Sequence, residues 1–200
     1  MKKRLASGES HQKIILHTLK RSAILFVFGG MLQCNFLTLD LSKMFFMHDT
    51  LQSIAVGYFF AVLIYTKLSL KWQVGVTSLL LLAFWVILYL VPVPGQVAGI
   101  CTLEFNNAKY FEQWLLGHFF EASSGYTWVL SSLGFIATVM TGIFASRIII
   151  SKNINVSFLK FKNPMITKAA LIAIIGATLV VLGLVIDVAY PIIKHIWNPT

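Results

Sequence analysis

The side chains best suited to chemistry in this chain collect in one short stretch, His48-Asp49-Thr50-Leu51-Gln52. Histidine titrates near neutrality, so it can take up and release a proton under physiological conditions. Gln52, four residues on, shares its face where the segment is helical and brings both a donor and an acceptor. The same residues also read as the start of a helix. Asp49 and Gln52 have the spacing of a capping box, in which Asp49 accepts the amide of Gln52 and the glutamine reaches back. No metal-ligand cluster, glycine-rich phosphate loop or serine elbow accompanies them in the sequence.

The elements that must position this stretch are apolar runs. A hydrocarbon core of roughly 30 Å takes about 20 helical residues to cross. Candidate spans lie at 22–39, 50–66, 72–91, 126–146 and 169–187, free of Asp, Glu, Lys and Arg except for Asp187 at the last boundary. Hydrophobic residues make up 58% of the chain and charged residues 12%, with a mean hydropathy of +0.81. Those values lie outside the range of a soluble domain. The runs do not alternate apolar and polar as barrel strands do. The expected fold is therefore all-α: a polytopic membrane helix bundle with five transmembrane helices, forming a single membrane domain over residues 1–200. The central turns of the five spans carry no Asp, Glu, Lys, Arg or His, which disfavours a proton-coupled transporter or pump.

A net charge of +9 raises the question of nucleic acid, and its distribution answers it. Thirteen of the 16 basic residues precede the first span, lie between the second and third, or lie between the fourth and fifth. Lys43, Lys109 and Lys194 fall in the other segments, with six of the seven acids. By the positive-inside rule the N-terminus is cytoplasmic and the C-terminus outside. The basicity is a topology signal, and no nucleic-acid partner is expected. A cleavable signal peptide is not expected either, because a polar Ser7–Gln12 stretch follows the basic start. Ile14, Ile15, Leu16 and Leu19 form an amphipathic lead-in suited to the headgroup layer. Cys34 and Cys101 both fall on the outer side, where free thiols are favoured over a disulfide.

The long outer segment 92–125 opens with Pro92-Val93-Pro94-Gly95, which stops the third span. Tyr110, Phe111, Trp114, Leu115 and Phe119 then recur at helical spacing, opposite Lys109, Glu112 and Gln113. With Asn106 or Asn107 as cap, this reads as an interfacial helix whose aromatic face meets lipid or the bundle. Its competing role is a lid over an outward-facing pocket, with Glu104 or His118 supplying a polar group. Gly134, Thr138, Gly142 and Ser146 make a small-residue seam on which another helix could pack.

Four segments in order resemble the bacterial membrane proteins related to heparan-alpha-glucosaminide N-acetyltransferase, a family that includes a set known as a domain of unknown function. They are Lys2-Lys3-Arg4-Leu5-Ala6-Ser7-Gly8-Glu9-Ser10 with His17-Thr18-Leu19-Lys20-Arg21-Ser22; Leu51-Gln52-Ser53-Ile54-Ala55; Val91-Pro92-Val93-Pro94-Gly95 with Trp114-Leu115-Leu116-Gly117 and Leu130-Ser131-Ser132-Leu133; and Pro191-Ile192-Ile193-Lys194-His195-Ile196-Trp197. The chain is similar to an internal portion of that fold, without the first helix, the histidine thought to handle the acetyl group, and the C-terminal helices. The resemblance implies a multi-pass protein of the bacterial cytoplasmic (inner) membrane that moves an acetyl group from cytoplasmic acetyl-CoA to an amine or hydroxyl of an extracytoplasmic sugar. It implies no metal, and it assigns no catalytic residue within this chain, since neither His17 nor His48 aligns with that histidine. On the acceptor side His48, Asp49, Gln52, Glu104 and Lys194 are expected to converge. On the donor side Arg147 and Lys152 are expected to hold the CoA phosphates, arginine through its bidentate fork and lysine as a point charge. The other readings are a transporter or flippase-like bundle for a glycan precursor, and a non-catalytic membrane subunit.

Overall fold

The computed structural model describes residues 10–95, 97–100, 102, 105–121, 126–151, 161 and 163–188. They form six α-helices: α1 (His11–Gln33), α2 (Thr50–Lys67), α3 (Leu70–Leu90), α4 (Asn107–Leu116), α5 (Ser132–Ile150) and α6 (Pro164–Asp187). All but the short α4 are long and apolar enough to cross a membrane. The protein is an all-helical membrane bundle, with no strand among the described residues. Two compact units divide these residues, one up to Val139 and one from Met140 onward.

The first unit is built on an antiparallel hairpin of α1 and α2. α1 starts eleven residues before the first expected span, because Ser10 caps it through the Lys13 amide at 3.3 Å and nothing breaks the helix between. The lead-in and the span are one continuous helix. Its end also comes early, at Gln33, where Asn35 turns left-handed (φ 57°) and Phe36–Thr38 forms a 3-10 turn. Phe36 folds back onto Gly30, whose missing Cβ would lie 2.2 Å from the ring. One residue before it, Gly29 faces the start of α2: a Cβ there would lie 2.9 Å from both Asp49 Oδ1 and Gln52 Cγ. These two glycines let a loop and a helix end approach the α1 backbone, as only a residue without a side chain allows.

The α2 and α3 boundaries match the expected spans to within two residues. Between them Gln73, 1% exposed, reaches back and donates to the Tyr65 and Leu68 carbonyls at 3.1 and 2.7 Å. At the far end of α3 the Asn107 side chain donates to the Ile87 and Val91 carbonyls at 2.7 and 2.9 Å. Asn106 is the cap of α4, accepting the Lys109 amide at 2.7 Å. The expected helix of this segment is present, with Asn107, Ala108 and Glu112 buried while Tyr110, Gln113, Trp114 and Leu115 are exposed.

α5 starts at Ser132, six residues later than expected, because residues 127–131 form a turn that feeds it. Its buried face is Ile136, Ala137 and Met140. In the small-residue seam Thr138 and Ser146 bond to carbonyls of their own helix, and Gly142 has nothing within 4 Å of an added Cβ. The close approach to α5 is made by Gly57 of α2, whose Cβ would lie 3.0 Å from the Phe135 carbonyl carbon. In the second unit α6 starts at Pro164, with Asn163 accepting the Met165 amide at 2.9 Å. Proline is favoured at a first helical position, where its missing N–H is not needed.

Gly57→Val puts three heavy atoms where backbone leaves no room, and overpacking of this kind costs about 1–3 kcal/mol. Its thermal unfolding midpoint in detergent is expected to fall by several degrees, whereas Gly142→Val leaves it unchanged.

Candidate functional site

Gln52 is the centre of the polar cluster at the junction of α1 and α2, and it is completely buried. Its Oε1 accepts the His48 backbone N–H at 3.0 Å and the Cys34 thiol at 3.2 Å. With two donors fixed on the oxygen, the Nε2 amide is left without a partner among the described residues. The capping box forms one register away from its expected pattern. Asp49 Oδ1 accepts the Leu51 amide at 2.7 Å, the Gln52 amide bonds to the Asp49 carbonyl at 3.1 Å, and the glutamine reaches His48. Asp49 is 6% exposed, so the cap is out of water, where a lost partner costs most.

His48 is half-buried, with its ring 6.1 Å from that of Phe45. Burial pushes its imidazole below the ordinary value, and the charges of Glu121 and Asp49 push the other way. The net effect is a ring held neutral at pH 7, the form that accepts a proton. Burial likewise raises the Cys34 thiol, against the His48 amide and Gln52, so it stays protonated and is a poor nucleophile. Around the cluster the Phe46 amide bonds to the Phe119 carbonyl at 3.1 Å, and Phe36, Phe46 and Phe119 pack edge to face in sequence. The turn after α4 therefore fastens onto the loop that carries His48. His118 lies against Phe119, with ring centroids 3.8 Å apart.

A second buried acid underlies this arrangement. Glu112 of α4 is 2% exposed, and its Oε1 accepts the backbone amides of Trp128 and Val129, the latter at 2.5 Å, with Leu130 adding a third N–H. Those amides lead into α5, where the first N–H groups have no partner inside the helix. Burial pushes the Glu112 carboxyl up to about 8, outweighing the three N–H groups that favour its charged form. The Trp128 carbonyl in turn accepts the Ser53 hydroxyl of α2 at 3.2 Å. One peptide thus ties α2 to α4 and to the start of α5.

Of the residues expected to converge, His48, Asp49 and Gln52 do so; Glu104 and Lys194 lie outside the described residues. Lys152 also lies outside them, as does Cys101, while Cys34 is a free thiol. Arg147 stands in the last turn of α5, where a cation complements the helix dipole. Lys168 of α6 donates to the Ile149 carbonyl at that same helix end, at 2.8 Å. Sequence reasoning missed Cys34, Glu112 and Asn107. The available signal was the polar side of α4, which in a membrane protein has reason to turn inward. No group of three or more metal-ligating side chains occurs among the described residues. No family model, curated protein or solved structure matches the chain.

Because the folded Glu112 holds a proton up to about 8 and its ordinary value is 4.5, stability falls as pH rises between those values. Glu112→Gln keeps an acceptor for the three amides and is expected to flatten that fall. Glu112→Ala leaves buried N–H groups unpaired and lowers stability by about 1–3 kcal/mol at pH 5, where the wild-type carboxyl is protonated, and it too loses the fall with pH. Unfolding midpoints measured from pH 5 to 9 check both.

Proposed function

We propose that the chain is part of an integral membrane acyltransferase that moves an acetyl group from acetyl-CoA on the basic side of the membrane to a sugar amine or hydroxyl on the other. The observation that carries this reading is the half-buried, neutral His48 held beside Asp49 and Gln52 at a helix mouth. Attack by an amine or hydroxyl on a thioester carbonyl forms a bond to the acetyl carbon and breaks its bond to sulfur, so it needs a base to take the proton from the nucleophile while CoA leaves as the thiolate and is protonated to the thiol. His48 is assigned that role. The Gln52 amide, with two N–H groups unspent, is assigned the acceptor's oxygen. Cys34 is not the nucleophile, because burial keeps its thiol protonated. The resemblance of the Leu51–Ala55 segment and its companions to the acetyltransferase family supports the same reaction class.

The orientation belongs to the same proposal, in the bacterial cytoplasmic membrane. With the N-terminus inside, the His48 end faces outward and Lys71 faces the cytoplasm. Cysteine placed at Gln113, an exposed position on α4, reacts with an impermeant maleimide in intact cells, and cysteine placed at Lys71 reacts only after permeabilisation. The opposite pattern inverts the assignment of donor and acceptor sides.

Proteoliposomes with acetyl-CoA on the cytoplasmic side and a labelled amino sugar on the other test the reaction directly. Wild type transfers the acetyl group, and His48→Gln lowers turnover by about 100-fold or more, the usual contribution of a general base. Gln52→Glu raises the acceptor requirement. Arg147→Gln raises the acetyl-CoA requirement several-fold and leaves acceptor dependence unchanged. Wild-type transfer no greater than that of empty vesicles ends the reading.

A further inference from the structure

Two grooves run along α1, one on either side of a narrow ridge. The first, with a volume of about 390 Å³, is lined by Lys20, Ala23, Ile24, Val27 and Phe28. The second, of about 340 Å³, lies between α1 and α2 and includes Ser22, Ala23, Phe26 and Val27 on one wall and Ala55 and Phe59 on the other. Ala23 and Val27, one helical turn apart, belong to both and form the ridge. Each groove has a single polar side chain. In the first it is Lys20, where the uninterrupted apolar run of α1 is about to begin, with Lys13 on the same face seven residues earlier. In the second it is Ser22, which is 6% exposed and whose hydroxyl has no hydrogen-bond partner among the described residues.

We propose that these grooves bind one anionic phospholipid astride α1, with an acyl chain on each side of the Ala23–Val27 ridge and the phosphate on Lys20. The chemistry of the lining matches such a molecule from end to end. Two apolar channels flank a ridge made low by alanine, and a cation stands on the first of them. Lysine near the end of a membrane helix extends its ammonium toward the headgroup layer along its own apolar stem. A helix is the rival occupant. Docking a helix there would bury Lys20 away from water with no anionic partner. Ile24, Val27 and Phe28 are all exposed on the protein's surface, where a lipid reaches them without any opening of the bundle.

Native mass spectrometry of the full chain, released from nanodiscs holding equal amounts of phosphatidylglycerol and phosphatidylcholine, tests the site. Wild type is expected to retain one phosphatidylglycerol at saturation. Lys20→Gln lowers the preference for phosphatidylglycerol at least five-fold while still carrying lipid. Ala23→Phe raises the ridge into both channels and lowers retention of either lipid, and Leu79→Phe, at an exposed position on α3, does neither. Val27→Phe replaces Ala23→Phe if that variant does not purify as a folded species. A graded, non-saturating series of lipids in wild type, an unchanged preference in Lys20→Gln, or equal retention in the ridge and Leu79 variants overturns the proposal in favour of ordinary annular lipid.

Discussion

A helix leaves about four N–H groups unpaired at its start and four carbonyls at its end, and in a bilayer protein those groups cannot all be given to water. The first unit meets that demand with buried side chains sent from one element to the end of another. Gln73 supplies the last turn of α2 from α3, Asn107 supplies the last turn of α3 from α4, and Glu112 supplies the amides before α5. Each such bond forms between separate elements, so it fixes a helix end and a tertiary contact at once. Each is also buried, so breaking it exposes a polar group to a place with few alternatives.

That demand explains why the polar residues sit where they do. Mid-span they would have to pair inside hydrocarbon, and the middle turns of α2, α3, α5 and α6 carry no Asp, Glu, Lys, Arg or His. At helix ends the backbone itself supplies partners. The result is one end of the first unit at which Cys34, His48, Asp49, Gln52, Ser53, Glu112 and the Trp128 peptide join four elements. Most of these groups are fully engaged in holding the chain. The exceptions are the His48 ring, half-buried and neutral, and the Gln52 amide, and those are the groups with capacity left for a ligand.

The fold was legible where hydrophobic length decides it. The α2 and α3 limits were read closely because charged or turn-forming residues flank both helices, Asp49 before the first and Pro92 after the second. The α1 limits were misread in both directions. The lead-in of Ile14 and Leu19 has too many charges to count as a span, yet a helix needs no uniform polarity to continue. The run past Gln33 is apolar enough to continue, yet Phe36 prefers to close on Gly30. The site was half legible. His48, Asp49 and Gln52 are near in sequence, so spacing alone brings them together, whereas Cys34 and Glu112 arrive by tertiary contact. The orientation of α4 shows the limit most clearly. The spacing left its aromatic face open to lipid or to the bundle, and only the tertiary contacts decide: Tyr110, Trp114 and Leu115 are exposed, and the inward face is left to Asn107, Ala108 and Glu112.

Gln52 carries two demands that conflict. As a cap it must stay fixed, with its oxygen on the His48 amide and the Cys34 thiol. As a ligand group it would have to be reached, yet it has no exposed surface and the Phe119 turn is bonded to the loop above it. A ligand that engages the Nε2 amide therefore has to displace the Phe36–Phe46–Phe119 stack while leaving the Oε1 bonds in place. Edge-to-face pairs contribute about 0.5–1.5 kcal/mol each beyond their burial, so the two pairs of the stack, together with the Phe46–Phe119 backbone bond, are comparable to the about 1–3 kcal/mol of a buried donor left unpaired. Energy alone therefore does not choose between the two openings, and the choice falls on what each leaves standing: opening the loop leaves the α1–α2 junction intact while a ligand is bound.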